Sequence, residues 1–362
     1  MTTYSESRLN VLEFQTKLKY PDLPLAIDDT TLSYHLGMNN WAMWWLLRER
    51  NKQYRLFRIP KSGGKWRHIQ CPTSKMKFIQ RSILINFLEK IPLGNHVGAY
   101  VPGRACSHTA LQHTGKKIIV SMDLKDFFPS VKQSMIRNYF HNVGYNQQVS
   151  SLLASLLTYE NYVPQGASSS GYIANLVADH RFDQKIIKSL HELDDRWVYT
   201  RYSDDLDISH PDVQTQETTK KIIGLVTEII QRAGFKIHFR KTKREFYFQR
   251  QKVLGMVVNE KTNIPIEDYL RTRGILHDVL CYGEDFEYHN DGQPVSLGAI
   301  MTHLFGKINY YKQINPNKAA KLMKLYEAAN IAISDTLPVG DIATEDKPNG
   351  GDLCLPHVHA DR

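Results

Sequence analysis

The chain has only four cysteines, Cys71, Cys106, Cys281 and Cys354, and no two of them form a CxxC pair. That spacing indicates neither a zinc ribbon nor a disulfide framework, and it fits a reducing, cytoplasmic setting. No run of about 18 apolar residues occurs, so no membrane span is expected. The stretch Met1 to Tyr20 is polar and charged and lacks the apolar core of a signal peptide. No internal repeat is visible. Acid is scarcer than base, 37 Asp and Glu against 46 Lys and Arg, giving a formal charge of +9. Such a balance favours a polyanionic partner. With 42% hydrophobic and 23% charged residues over 362 positions, the chain can bury a large core shared by two or three subdomains.

Against this ordinary background stands Tyr202-Ser203-Asp204-Asp205. It lies between two β-rich runs, Trp197 to Arg201 and Leu206 to Ser209, and reads as a hairpin with two adjacent carboxylates at its turn. Neighbouring acids repel unless a cation sits between them. Upstream, the apolar run Ile118 to Met122 reads as a buried strand ending in Asp123. An isolated Asp-Asp pair is ordinarily a solvated turn, and an isolated strand-end Asp is ordinarily a cap or surface acid. Together they supply three carboxylates from two strands, the ligand set for a pair of Mg²⁺ ions in nucleotidyl transfer.

These residues also carry a resemblance. Tyr202-Ser203-Asp204-Asp205 resembles the YxDD motif of reverse transcriptases, and Asp123-Leu124-Lys125-Asp126-Phe127-Phe128-Pro129-Ser130 resembles the first catalytic block of their bacterial retron and group II intron branch. Arg55 to Ile69 is similar to the fingers hairpin, and Val163-Pro164-Gln165-Gly166 with Ala174-Asn175-Leu176 to the PQG…NL block. Phe235 to Thr242 is similar to the lysine block, and Val253-Leu254-Gly255 to the primer-grip hairpin. The blocks follow the family's order from about residue 30 to about residue 325. The chain departs where the branch has Asn-Ala-x-x-His (here Thr109 to His113), Val-Thr-Gly (here Val253-Leu254-Gly255) and Ser-Pro (here Ser170-Gly171).

The resemblance implies an α+β right-hand polymerase of fingers, palm (an antiparallel sheet with helices) and helical thumb. The expected divisions are a leader at 1–29, fingers at 30–117, palm at 118–265 with inserted helices at 130–195, thumb at 266–334 and a tail at 335–362. Helical periodicity predicts helices at 8–19, 31–50 with a break at Gly37, 75–88, 148–159, 169–190 and 218–233, and one from Ser130 to Gly144. Trp41, Trp44 and Trp45 read better as core packing than as base stacking. Leu297, Ile300, Met301, Leu304, Ile308 and Tyr311 share a helix face, and Asn315-Pro316 opens another helix.

In site terms, the resemblance implies that Asp123 and Asp204 bridge two Mg²⁺ ions (Mn²⁺ could serve), with Asp205 and the Leu124 carbonyl completing the set. Lys61 and Arg67 would contact the incoming triphosphate, and Gln165 and Gly166 would shape its pocket. Lys241 would serve the leaving pyrophosphate, and Asp126 the triphosphate or sugar. Phe128 would exclude a ribose 2′-OH while Phe127 joins the core. Tyr202, Arg240, Leu254 and Gly255 would meet primer and template. Solvated surface charge is the competing reading for Lys61 and Lys241. The expected partners are dNTPs, a noncoding RNA template, its RNA–DNA hybrid and a separate effector protein in antiphage defence. The alternatives are protein-primed or template-independent DNA synthesis, or an RNA-binding scaffold whose catalysis is dispensable.

Overall fold

The computed structural model describes residues 17–60, 64, 66–290 and 293–336. The expectations for Lys61, for the helix before residue 17 and for the tail beyond 336 lie outside the described residues. Contacts divide the chain into two units, Met1–Thr109 with Lys117–Arg244, and Ala110–Lys116 with Glu245–Arg362.

The first unit is built on an antiparallel sheet. Its spine is β3 (Ile118–Lys125), buried along its whole length except at Lys125. Both faces of this strand are covered, so its sequence reads as a continuous apolar run rather than an alternation. Strands β4 (Val198–Tyr202) and β5 (Asp205–His210) form the YSDD hairpin, and β6 (Lys236–Ile237) lies on the far side, in the order β4-β5-β3-β6. The register runs from Ile118 opposite His210 to Asp123 opposite Asp205. The helix Gln216–Arg232 buries Ile222, Val226 and Ile230 and ends before Gly234, whose φ of +89° suits a glycine stop.

A separate hairpin, β1 (Tyr54–Pro60) with β2 (Trp66–Pro72), leads into the helix Ser74–Ile83, which buries Met76, Ile79 and Ile83. Two expectations need correction here. The region expected as one helix from 169 to 190 contains a π-helical turn at Asp179–Asp183. Ser130 does not cap the next helix. Its hydroxyl bonds to the Asp126 carbonyl, and the helix begins later, at Gln133, and ends at Gly144 with φ +119°.

A larger correction concerns the tryptophans. The helix Asn40–Arg48 buries Met43, Leu46 and Leu47 instead, leaving Trp41 76% and Trp44 49% exposed. Counting apolar residues at helical spacing overfilled the inward stripe. The helix is apolar on more than one face, and the smaller side chains took the core.

The second unit holds a tight hairpin, Lys252–Val253 with Met256–Val257, and the helices Ile266–Tyr282, Leu297–Lys312 and Pro316–Thr336. The last helix packs on the other two. It is capped by Asn315, whose side-chain oxygen accepts from the Lys318 N–H at 3.1 Å. Ile300, Met301, Leu304, Ile308 and Tyr311 are buried, as the helical face predicted. No helix among the described residues is long and apolar enough to cross a membrane.

Candidate active site

The pairing of Tyr202 with Asp205 leaves a two-residue turn, Ser203-Asp204. Ser203 has φ +60°, a left-handed conformation more usual for glycine. The tight reversal places Asp204 at the tip and sets Asp205 directly across from Asp123. Like charges opposite each other in a sheet are destabilising, so this register is costly unless something cationic shares it. The Leu124 N–H donates to the Asp204 carbonyl at 2.8 Å. A strand residue's N–H and C=O point to the same side, so the Leu124 carbonyl also faces the hairpin. Asp126 lies one step past the strand with φ +50°, and Phe127–Ser130 form a helical turn rather than a strand end. Phe127 is nonetheless buried and Phe128 half-exposed, for this reason and not through strand alternation.

Beneath the turn is a network that the motif reading missed. Arg201, next to the motif, is fully buried. Its Nε and Nη2 donate to the Asp183 carboxylate at 2.7–3.1 Å. Its Nη1 donates to Asn175 Oδ1 at 2.7 Å and to the Ser203 carbonyl at 3.3 Å. Burial opposes the guanidinium's charge, but Asp183 more than offsets it, and the Arg201 pKa stands above its ordinary value. Tyr199 donates its hydroxyl to Asp183 at 2.6 Å, and His96 Nε2 lies 2.7 Å from Asp179. A buried, fully hydrogen-bonded arginine thus ties the strained turn to the π-helical segment. The available signal was an arginine inside a strand otherwise bound for the core.

The β1–β2 hairpin and the Gln-Gly block meet. The Gln70 N–H donates to the Gln165 carbonyl at 2.7 Å, and the Gln165 N–H to Gln70 Oε1 at 2.8 Å. Gly166 has φ +124°, and a Cβ there would lie 2.9 Å from Ile69, so only glycine admits β2 this closely. Arg67 lies on the same strand, and its Nε is buried without a hydrogen-bond partner, a donor left for an anionic ligand. Tyr100 stands beside Phe128 with ring centres 5.9 Å apart. A Cβ on Gly171 would lie 2.2 Å from the Tyr100 ring, so the departure at Ser170-Gly171 makes room for that tyrosine. Although the ring is partly exposed, burial of its hydroxyl raises the Tyr100 pKa, against a Ser203 hydrogen bond that lowers it and the nearby Asp204 charge that raises it.

Comparison with known proteins shows the family. The family model described as "Reverse transcriptase (RNA-dependent DNA polymerase)" matches residues 59–258. The chain belongs to the reverse transcriptase family. It is 30% identical over 295 residues to the Retron Mx65 reverse transcriptase of Myxococcus xanthus, covering 76% of this chain and 65% of that one. It is 32% identical over 232 residues to the Retron Ec86 reverse transcriptase of Escherichia coli, covering 63% of this chain and 71% of the relative. Among solved structures, telomerase from Candida albicans in complex with a fragment of telomeric RNA aligns with TM-score 0.45 and 10% identity, over 82% of this chain and 64% of that one.

The remaining residues expected to act lie some in the first unit and some in the second. Lys241 Nζ donates to Asp123 Oδ2 at 2.7 Å, and the His238 N–H to the Asp123 carbonyl at 2.7 Å. Arg240 is exposed beside them. Tyr202 accepts a hydrogen bond from Cys106 Sγ at 3.1 Å. Leu254 and Gly255 form the turn of the second unit's hairpin, with φ +50° and +80°. Arg250 pairs with Glu267 at 2.7 Å.

Reverse transcriptases use divalent metal ions. Among the described residues, His96, Asp179 and Asp183 have ligand atoms all within 4.8 Å of one another. Both Asp183 oxygens are already engaged by Arg201 and Tyr199, so that group is built as an ion-pair network. Asp123, Asp204 and Asp205 offer hard oxygen donors at one end of the sheet, the donor chemistry that suits Mg²⁺ or Mn²⁺.

Proposed function

We propose that this reverse transcriptase copies a noncoding RNA into DNA by extending a primer with dNTPs. The register that sets Asp123 opposite Asp205, with Asp204 at the tip of the same turn, is the observation that supports this most. Two divalent ions, magnesium with manganese as a substitute, would be held by Asp123, Asp204, Asp205 and the Leu124 carbonyl. They would neutralise the triphosphate and ease ionisation of the primer hydroxyl.

The chain's own groups supply the rest. Arg67, with Lys61 from the same hairpin, holds the triphosphate against the fingers, using the guanidinium donor that lacks a protein partner. Gln165, through its bonds to Gln70, and Gly166, through its close approach to β2, fix the floor of the nucleotide pocket. Asp126 orients the sugar or triphosphate. Phe128, held by Tyr100, excludes a ribose 2′-OH by its bulk and by offering it no hydrogen-bond partner. Lys241 leaves Asp123 to hand a proton to the departing pyrophosphate.

Fingers at 30–117, palm at 118–265 and thumb at 266–334 complete the reading. Tyr202, Arg240, Leu254 and Gly255 contact the primer–template. A role in antiphage defence with a separate effector protein belongs to the same proposal.

Sequencing the nucleic acid that copurifies with the protein tests it. DNA complementary to one noncoding RNA is expected with the wild type, and the RNA alone with Asp204→Asn. DNA without a complementary RNA would contradict templated synthesis.

A further inference from the structure

The exposed tryptophans of the helix Asn40–Arg48 have no part in the site above. Trp41 stands between two grooves. One has a volume of about 710 Å³ and is lined by Trp41, Trp44, Arg48, Arg50, Gln148 and Ser151 among others. The second, of about 730 Å³, runs between Trp41, Trp45, Lys75 and Phe78. Exposed indoles on this scale cost solubility and mark an interaction surface.

Three observations say what kind of partner fits. The charged residues lining the grooves are Arg48, Arg50 and Lys75, all cationic, with no carboxylate among them. Glu49 pairs with Lys52 at 2.7 Å and with the Nε of the exposed Arg48 at 3.6 Å, and the acid beside Trp44, Asp29, is also occupied. It accepts from Trp44 Nε1 at 2.8 Å and from Asn40 at 3.2 Å, bonds that hold its pKa below the ordinary value and fix the Trp44 ring in place. Arg50 Nε is buried with no hydrogen-bond partner, and the exposed Gln148 amide adds donor and acceptor atoms at the groove wall. Fixed aromatic faces for stacking, guanidinium groups for phosphate and an amide for a base edge form a single-strand platform. An apolar helix of a protein partner would need none of the cations.

We propose that this face binds a single-stranded segment of RNA, outside the catalytic sheet, with bases stacked on Trp41 and Trp44 and phosphates on Arg48 and Arg50. The choice of RNA over DNA rests on the proposed function. The geometry of the face does not.

The test uses the full chain and a fluorescein-labelled single-stranded RNA of about 12 nucleotides, within the range such platforms hold. Excess RNA–DNA hybrid duplex is included to occupy the catalytic groove. Binding should quench tryptophan fluorescence. Trp41→Ala should weaken it roughly ten-fold, the usual loss of one stacking partner, and Trp41→Phe should recover most of the loss. Arg48→Ala should lower the salt slope by about one phosphate.

Trp41 is exposed, so its variants should fold, and their primer extension on a supplied template should be unchanged. Asp204→Asn should bind the RNA as the wild type does, which separates failure here from failure of the catalytic assignment. Equal affinity in the wild type, Trp41→Ala and Trp44→Ala would overturn the proposal. So would tighter binding of the matching DNA strand, or a Trp41-dependent self-association with RNA binding unaffected.

Discussion

Two hairpins of this chain solve the same problem with different means. The Tyr202–Asp205 turn and the Val253–Met256 turn are both two residues long, and each forces a non-glycine residue, Ser203 or Leu254, to positive φ. Each is also preceded by an arginine. Arg201 is fully buried and bonds to Asp183, Asn175 and the turn itself. Arg250 pairs with Glu267 in solvent, and its hairpin is held by the Glu245 carboxylate and the Asn259 side chain. In the proposed function the first turn must hold carboxylates in place for metal ions, and it is the one braced by a buried charge network. A turn without that demand is left on surface bonds. Buried ion pairs add little net stability over apolar packing, but they are costly to break, and that makes one geometry strongly preferred.

The comparison can be broken at its acids. Asp205→Asn should lower DNA synthesis at least about 10³-fold, on the scale of losing a key electrostatic group in a site. It should leave Tm unchanged or slightly raised, because it removes the repulsion with Asp123. A large fall in Tm would mean that Asp205 is a structural residue.

The arginines sharpen the contrast. Arg201→Met leaves Asp183 buried and unpaired and should cost roughly 3–5 kcal/mol in urea denaturation. Arg250→Ala should cost under about 1 kcal/mol, as exposed pairs do. Equal effects would erase the distinction between the two hairpins. Phe127 packs under the Arg201 guanidinium at 5.5 Å, whereas Phe128 does not share that burial. Phe127→Ala should therefore destabilise by about 3 kcal/mol or more. Phe128→Ala should mainly raise ribonucleotide incorporation relative to deoxyribonucleotide, read by single-nucleotide extension. Unchanged sugar discrimination would return that ring to a packing role.

The smallest effects belong to the turns. Ser203→Gly and Leu254→Gly each relieve a left-handed residue and should shift stability by only about 1 kcal/mol, in the stabilising direction. Turnover should fall in Ser203→Gly alone, because a looser turn blurs the Asp204 position. Equal turnover in both variants would show that the strain has no role in catalysis.

What the sequence disclosed, and what it hid, follows the same division. The acids, the Gln-Gly step and the strands around them were legible because each motif is local. A two-residue turn, a positive-φ glycine and a buried run all leave a mark within a few positions. The Arg201–Asp183–Asn175 network was not legible. Its members come from three separated segments, and one depends on a π turn that helical periodicity does not register. The tryptophans of the helix Asn40–Arg48 were misplaced for a related reason. Periodicity says which residues share a face, but Met43, Leu46 and Leu47 compete for the core with Trp41 and Trp44, and only tertiary packing decides between them. The pairing of Lys241 with Asp123 likewise needs the fold, since the two are 118 positions apart.

In the proposed function, Asp123, Asp204 and Asp205 carry the chemistry of templated DNA synthesis. Extension of a DNA primer on a defined RNA template, with Mg²⁺, by wild type and by Asp204→Asn of equal Tm, tests it most directly. The wild type should extend the primer to the template end, Mn²⁺ should substitute, chelation should stop the reaction, and Asp204→Asn should add no nucleotide. Near-normal extension by Asp204→Asn would contradict the assignment of the site.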